Sequence, residues 1–224
     1  MEYYLTRTNR KTAAIYVRNA RVEVRAPLRM SKRDIDSFVL SKEKWISQRL
    51  ERSISQVNQR EAFNLSYGDY ILMRGATYPL TAKPGTHAGF DGKVFFMPPN
   101  LAPEQIKTVC VQIYRRLAKA YLTERTLFYA NRMGAAPAAI RINNAQTRWG
   151  SCSGKRSINY SWRLIMADDS VIDYVVIHEL THLFELNHSG RFWAIVARLL
   201  PDYGERKSRL HELQVRLAGE DWEA

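Results

Sequence analysis

Residues 171–186, VIDYVVIHELTHLFEL, limit the possible folds more than any other stretch, because they set two histidines and a glutamate within an otherwise apolar helical pattern. Asp168, Asp169 and Ser170 directly before it are N-capping residue types, and Val175, Val176, Ile177, Leu180 and Leu183 call for burial. A helix apolar on so much of its surface belongs inside a core, where two imidazoles and a carboxylate are costly unless something partners them. Residues four apart on an α-helix lie about 40° from each other around the axis, so His178 and His182 project from one face, one turn apart. Glu179 lies about 60° from His182, on the same side of the helix.

Two imidazoles so placed can share one ion, and a carboxylate beside them can act on a water at that ion. His-Glu-x-x-His supplies this arrangement in zinc peptidases: two ligands and one general base from five residues. The alternative is a histidine-bearing helix with ordinary satisfied side chains, which the apolar neighbours disfavour. A catalytic zinc needs a third protein ligand and an open position. His188 is the leading candidate, with Asp202, Glu205, His211 and Glu212 further downstream. On a continuing helix His188 would sit about 240° around the axis from His182 and face away, so the chain has to turn between them. Asn187 tolerates the left-handed conformation that ends helices, and Ser189 can cap a following helix that runs from Gly190 to Leu200.

The chain can build a core around such a helix, since 46% of its 224 residues are apolar. Cys110 and Cys152 are too few for a disulfide framework, which points to a reduced, cytoplasmic protein, and Cys152 reads as a small buried residue. The N-terminal stretch MEYYLTRTNRKTAAIYVRNARVEVR alternates polar and apolar residues, so neither a signal peptide nor a membrane span is expected. Of the net charge of +12, residues 1–60 hold +8, from 14 Lys and Arg against 6 Asp and Glu. A cationic surplus draws polyanions, which makes nucleic acid or nucleotides candidate partners; a merely solubilising face explains the same charge.

Along the chain the pattern is α+β. Ala14–Arg18 and Arg21–Arg25 alternate and are joined by Asn19 and Ala20, which predicts a hairpin ended by Pro27. Ser31 with Asp34 forms a capping pair, after which Ile35, Phe38, Val39, Lys42, Trp45, Ile46 and Leu50 recur at helical spacing, with a break near Ser41. From Gln56 to Asn100 strand signals return as YILMRG, TYPLTAK and KVFFMP between glycines, predicting a small antiparallel sheet. Pro103 to Met133 fits one long amphipathic scaffold helix closed by Gly134. AIRINN and SINYSWRLI read as strands around the turn-rich TRWGSCSGKR, with Gly150 suited to a tight turn. The expected division is a basic β-rich region over residues 1–100 and a catalytic region over residues 101–224.

TRWGSCS at 147–153, INYSWRLI at 158–165, IDYVVIHELTHLFELNHSGRFW at 172–193 and PDY at 201–203 together resemble the YgjP-like metallopeptidase family, itself similar to the SprT and WLM peptidases of the zincin class. RVEVRAP and KEKWI in the N-terminal half also match its style. The resemblance implies a zincin-like catalytic region in which His178, His182 and His188 bind Zn2+ and Glu179 is the catalytic base. It also implies that an extended peptide adds to a sheet edge beside the metal helix, AIRINN or its neighbour. The histidine spacing matches the extended metzincin motif, but Glu185 stands where those proteins have glycine, so their later methionine turn is not carried over.

The expected activity is therefore zinc-dependent hydrolysis of peptides or proteins. Arg148, Tyr160, Tyr203 and His211 are candidates, by residue type, for binding substrate and steadying a developing oxyanion. The second reading is a metal-dependent nucleotide pyrophosphatase, against which no glycine-rich phosphate loop and no carboxylate cluster is found. The third is a nucleic-acid-binding module with a vestigial site, which the intact Glu179 disfavours.

Overall fold

The computed structural model describes residues 1–223 and divides into two compact units: Met1–Phe63 with Leu217–Asp221, and Asn64–Arg216 with the residues from Trp222. The first unit begins with strands β1 (Tyr4–Thr8), β2 (Ala14–Arg18) and β3 (Arg21–Pro27) in the order β1-β3-β2. β2 and β3 form the expected hairpin, and Asn19 and Ala20 both take positive φ, the requirement of a two-residue turn that follows the strand twist. β1 adds to β3 in the parallel sense. Alternation along β3 buries Val22, Val24 and Ala26 against Ile35 and Val39 of helix α1 (Lys32–Leu40) and Ile46 of helix α2 (Glu43–Ala62). Ser31 caps α1 by accepting from Asp34 N at 3.1 Å, and the chain breaks at Ser41 as its spacing predicts. α2 continues past Gln56, where strand was expected; SISQVNQREA has neither glycine nor proline, and Gln, Arg, Glu and Ala favour helix.

The second unit opens with β4 (Tyr70–Met73), β5 (Ala76–Ala82), β6 (Gly89–Phe90) and β7 (Phe95–Met97), ordered β4-β5-β7-β6. This sheet is mixed rather than antiparallel. The chain leaves β5 to lay down the outer strand β6 first, so that β7 returns beside β5 in the parallel sense. Helix α3 (Pro103–Met133) runs for 31 residues and ends at Gly134 with φ +65°, as a left-handed C-terminal cap does. The Tyr114 hydroxyl on α3 donates to Leu72 O at 2.7 Å and its ring stacks on Trp162, fixing sheet to helix.

A boundary near residue 100 does not match these units, because the 70–97 sheet is tied to the catalytic half. Arg74 N donates to Ile165 O at 2.8 Å, and the Arg74 guanidinium pairs with Asp169 at 2.6 Å.

A second sheet holds β8 (Ala139–Asn143), β9 (Gly150–Cys152) and β10 (Ser157–Ser161) in the order β8-β10-β9, with β8 parallel and β9 antiparallel to β10. WRLIM, expected to extend the last strand, instead forms a buried 3-10 turn over Trp162–Met166, held by Trp162 Nε1 donating to Asn144 Oδ1 at 2.8 Å. Helix α4 (Asp169–Thr181) follows, with Asp168 accepting from Ser170 N and Val171 N. Helices α5 (Gly190–Leu199) and α6 (Tyr203–Leu217) complete the chain. Arg125 of α3 grips Asp173 of α4 through two 2.8 Å hydrogen bonds, and Tyr129 donates to the same carboxylate, locking the two helices together.

Candidate metal centre

α4 carries His178 and Glu179 on its last turn, and His182 sits at its C-terminal cap. The helix stops there rather than at Leu186. Thr181 Oγ1 bonds back to Ile177 O at 2.7 Å, while Phe184 N and Glu185 N both close onto Thr181 O at 3.0 Å. Asn187, suited by type to a left-handed conformation, is not among the residues with positive φ; the helix ends instead in a turn over residues 182–184, three to five residues earlier. Ser189 then caps α5 as expected, accepting from Phe192 N at 3.2 Å. His188 lies between the turn and this cap.

The turn brings the three imidazoles together: one ligand atom from each of His178, His182 and His188 lies within 4.8 Å of the others. His178 Nε2 and His188 Nε2 face each other at 3.0 Å. Ligand nitrogens at zinc distance in a tetrahedral site are roughly 3.3 Å apart, so the spacing fits a shared ion. His182 Nδ1 meets Glu185 O at 3.1 Å; with the proton on that nitrogen, Nε2 is left as the ligand atom. Burial pushes His178 down to about 3, with the neighbouring His182 and His188 adding to the effect, so the ring is neutral and ready to ligate. Burial also lowers His182. The donor set is thus three imidazole nitrogens, which suits a borderline divalent ion such as zinc.

Glu179 is 5% exposed, and its Oε2 has no hydrogen-bond partner among the described residues. Burial raises its carboxyl to about 7, a shift that the charge of Arg148 partly opposes. A carboxylate poised near neutrality with a free oxygen is suited to taking and returning a proton. β9 is an edge of its sheet and passes directly against this side chain: a Cβ built on Gly150 would lie 2.5 Å from Glu179 Oε1. Gly150 is therefore needed for close approach, and it lies in a strand without positive φ, not in the tight turn expected from the sequence. Cys152, on the same strand, is half-buried, and burial together with Glu179 raises its thiol.

Aromatic rings frame the histidines. Phe192 is buried with its centroid 4.7 Å from those of both His182 and His188. Trp193 stacks on His188 at 5.8 Å and 29°, and Tyr203 stacks on the far side of the ladder against Trp193 at 5.2 Å and 20°. Helical spacing places Phe192 and Trp193 on α5 but does not report which rings they will face.

The four substrate-binding candidates separate by position. Arg148 is exposed and close enough to Glu179 to act on its charge, and Tyr203 reaches the histidines through Trp193. Tyr160 is 0% exposed and hydrogen-bonded to Thr126 Oγ1 at 3.1 Å, so its hydroxyl is closed to any substrate. His211 is exposed on α6 and is outside the histidine cluster, as are Asp202, Glu205 and Glu212.

Among the described residues no helix is long and apolar enough to cross a membrane. A family model described as "YgjP-like, metallopeptidase domain" matches residues 11–213. Comparison with the curated proteins gives no match. Among solved structures, the metallopeptidase zymogen abylysin of Pyrococcus abyssi is 20% identical with a TM-score of 0.39, covering 45% of this chain and 98% of that one.

Proposed function

The chain belongs to the YgjP-like metallopeptidase family, and on that premise we propose that it is a zinc peptidase whose ion is held by His178, His182 and His188, with Glu179 as general base. The observation that carries this reading is the convergence of three imidazoles beside a buried carboxylate whose Oε2 lacks a partner among the described residues. Zinc bound there would supply Lewis acidity, polarising a carbonyl and acidifying water. Glu179 takes the proton of the attacking water and returns it to the leaving amine; its raised pKa matches both halves of that task. An extended peptide pairs with the free edge of β9, which sets its scissile carbonyl beside Glu179. Arg148 supplies positive charge on the same side and is the candidate to steady the oxyanion.

The test is metal analysis and hydrolysis of casein and of nucleoside triphosphates by the wild type and Glu179→Gln in parallel. About one zinc in both proteins, with casein cleavage lost in the variant, is the expected result. Nucleotide turnover that vanishes in the variant, without any proteolysis, would replace the peptidase by a phosphoanhydride hydrolase.

A further inference from the structure

Within the N-terminal unit, helices α1 and α2 cover one face of the sheet. Val22, Val24 and Ala26 turn toward α1 and α2, so Arg21, Glu23 and Arg25 alternate onto the opposite face. Register brings Tyr4 and Thr6 of β1, and Ala14, Tyr16 and Arg18 of β2, onto that same face. It thus presents three arginines and two tyrosines against a single carboxylate, with no large aliphatic side chain. The Arg18 and Arg25 guanidiniums lie 5.2 and 4.9 Å from the Tyr16 ring centre, and that of Arg21 lies 5.7 Å from the ring of Tyr4, which is 62% exposed. Arg25 has an ion pair, with Glu23 at 3.6 Å; Arg18 and Arg21 have none among the described residues.

We propose that this face binds single-stranded nucleic acid, with bases stacked on Tyr4 and Tyr16 and phosphates met by Arg18, Arg21 and Arg25. Tyr4 and Tyr16 flank Glu23 in register on the two neighbouring strands, which sets them about 10 Å apart across the sheet. Flat rings on an open sheet meet bases only when these are unpaired, since a duplex hides its base faces in the stack. Excess positive charge on the same surface supplies the sequence-independent attraction for the backbone. An exposed guanidinium over a ring is a weak contact, so a base can take the ring face while the guanidinium turns to a phosphate. An acidic peptide would satisfy the arginines but leave both rings unused. The partner is independent of the peptidase reading, because none of these residues belongs to the histidine site.

The test is fluorescence anisotropy of the full chain with a fluorescein-labelled mixed-sequence single-stranded 12-mer, competed by the matching duplex and by poly-glutamate. Binding should weaken with rising salt, the single strand should compete best, and Tyr16→Ala, which leaves charge unchanged, should weaken affinity about tenfold. Tyr16→Phe keeps the ring and should bind as the wild type does. The Arg18→Gln/Arg21→Gln double variant should lose more affinity than Lys44→Gln/Arg52→Gln, a charge-matched change on α2; thermal unfolding by circular dichroism shows that each variant is folded. A folded Tyr16→Ala that binds like wild type, equal loss in the two double variants, or competition by duplex or poly-glutamate as strong as by the single strand would each overturn the assignment.

Discussion

Gly150 and Glu179 approach so closely that a single added methyl group cannot fit: a Cβ at residue 150 would lie 2.5 Å from Oε1 and 2.6 Å from Cγ of the glutamate. The edge strand and the proposed base are therefore set in place by one missing side chain. This contact joins residues 29 positions apart, and it explains why the glycine lies in a strand.

Gly150→Ala should push the Glu179 carboxyl out of its position without touching the histidines. The expected result is retention of zinc with a loss of peptide hydrolysis of about 100-fold, the scale on which misplacing a catalytic group by an ångström acts. Metal content and casein cleavage measured on the same preparation check it. Full activity would show that the base does not depend on the strand's approach.

Trp193 holds His188, the most exposed of the three histidines, by stacking on its ring, and Tyr203 backs Trp193 in turn. Trp193→Leu should weaken zinc binding about tenfold, in the range found when the support of a metal ligand is removed, and Trp193→Phe should restore most of it. Competition with a chromogenic chelator measures both. Unchanged affinity in Trp193→Leu would mean that the backbone between the turn and α5 positions His188 alone.

Buried Glu179 gives the metal-free protein a pH-dependent stability of defined sign. Its carboxyl is raised to about 7 in the folded state against an ordinary value of 4.5, so the folded state binds the extra proton between those values. Its favourable contribution is complete below pH 4.5 and is lost as pH rises through 7. Glu179→Gln removes that loss. In the presence of a chelator the variant should exceed wild type by about 3 kcal/mol at pH 8 and match it at pH 4, since a shift of one unit corresponds to about 1.4 kcal/mol. Urea unfolding at the two pH values reads the difference; no gain at pH 8 would contradict it.

Asp173 accepts from both Arg125 and Tyr129 at 2.8 Å in a half-buried pocket between α3 and α4. Asp173→Asn leaves the guanidinium without its bidentate partner and should destabilise the fold by about 2 kcal/mol. The midpoint of urea unfolding checks this. A change below about 0.5 kcal/mol would put the pair with ordinary surface ion pairs.

Local physics made much of this protein legible from its sequence. His178 and Glu179 follow from helical geometry and the apolar residues around them, Ser31, Asp168 and Ser189 are caps because their oxygens reach nearby amides, and Asn19-Ala20 turns the hairpin. Each depends on residues within about one turn of one another. What depends on distant partners had to be seen in three dimensions. Tyr160 resembles any half-exposed tyrosine until its strand is found beneath α3, where its hydroxyl is hydrogen-bonded to Thr126 Oγ1. The β4–β7 sheet is mixed because of the order in which its strands are laid down, which alternation along each strand does not record. The family resemblance drawn from four motifs is matched over residues 11–213. Sequence alone determined that two histidines and a glutamate share a face, because a helix repeats every 3.6 residues wherever it lies. Only the tertiary structure decided where that helix ends, how His188 returns to it and which strand presses on Glu179, because those outcomes rest on contacts between residues far apart in the chain.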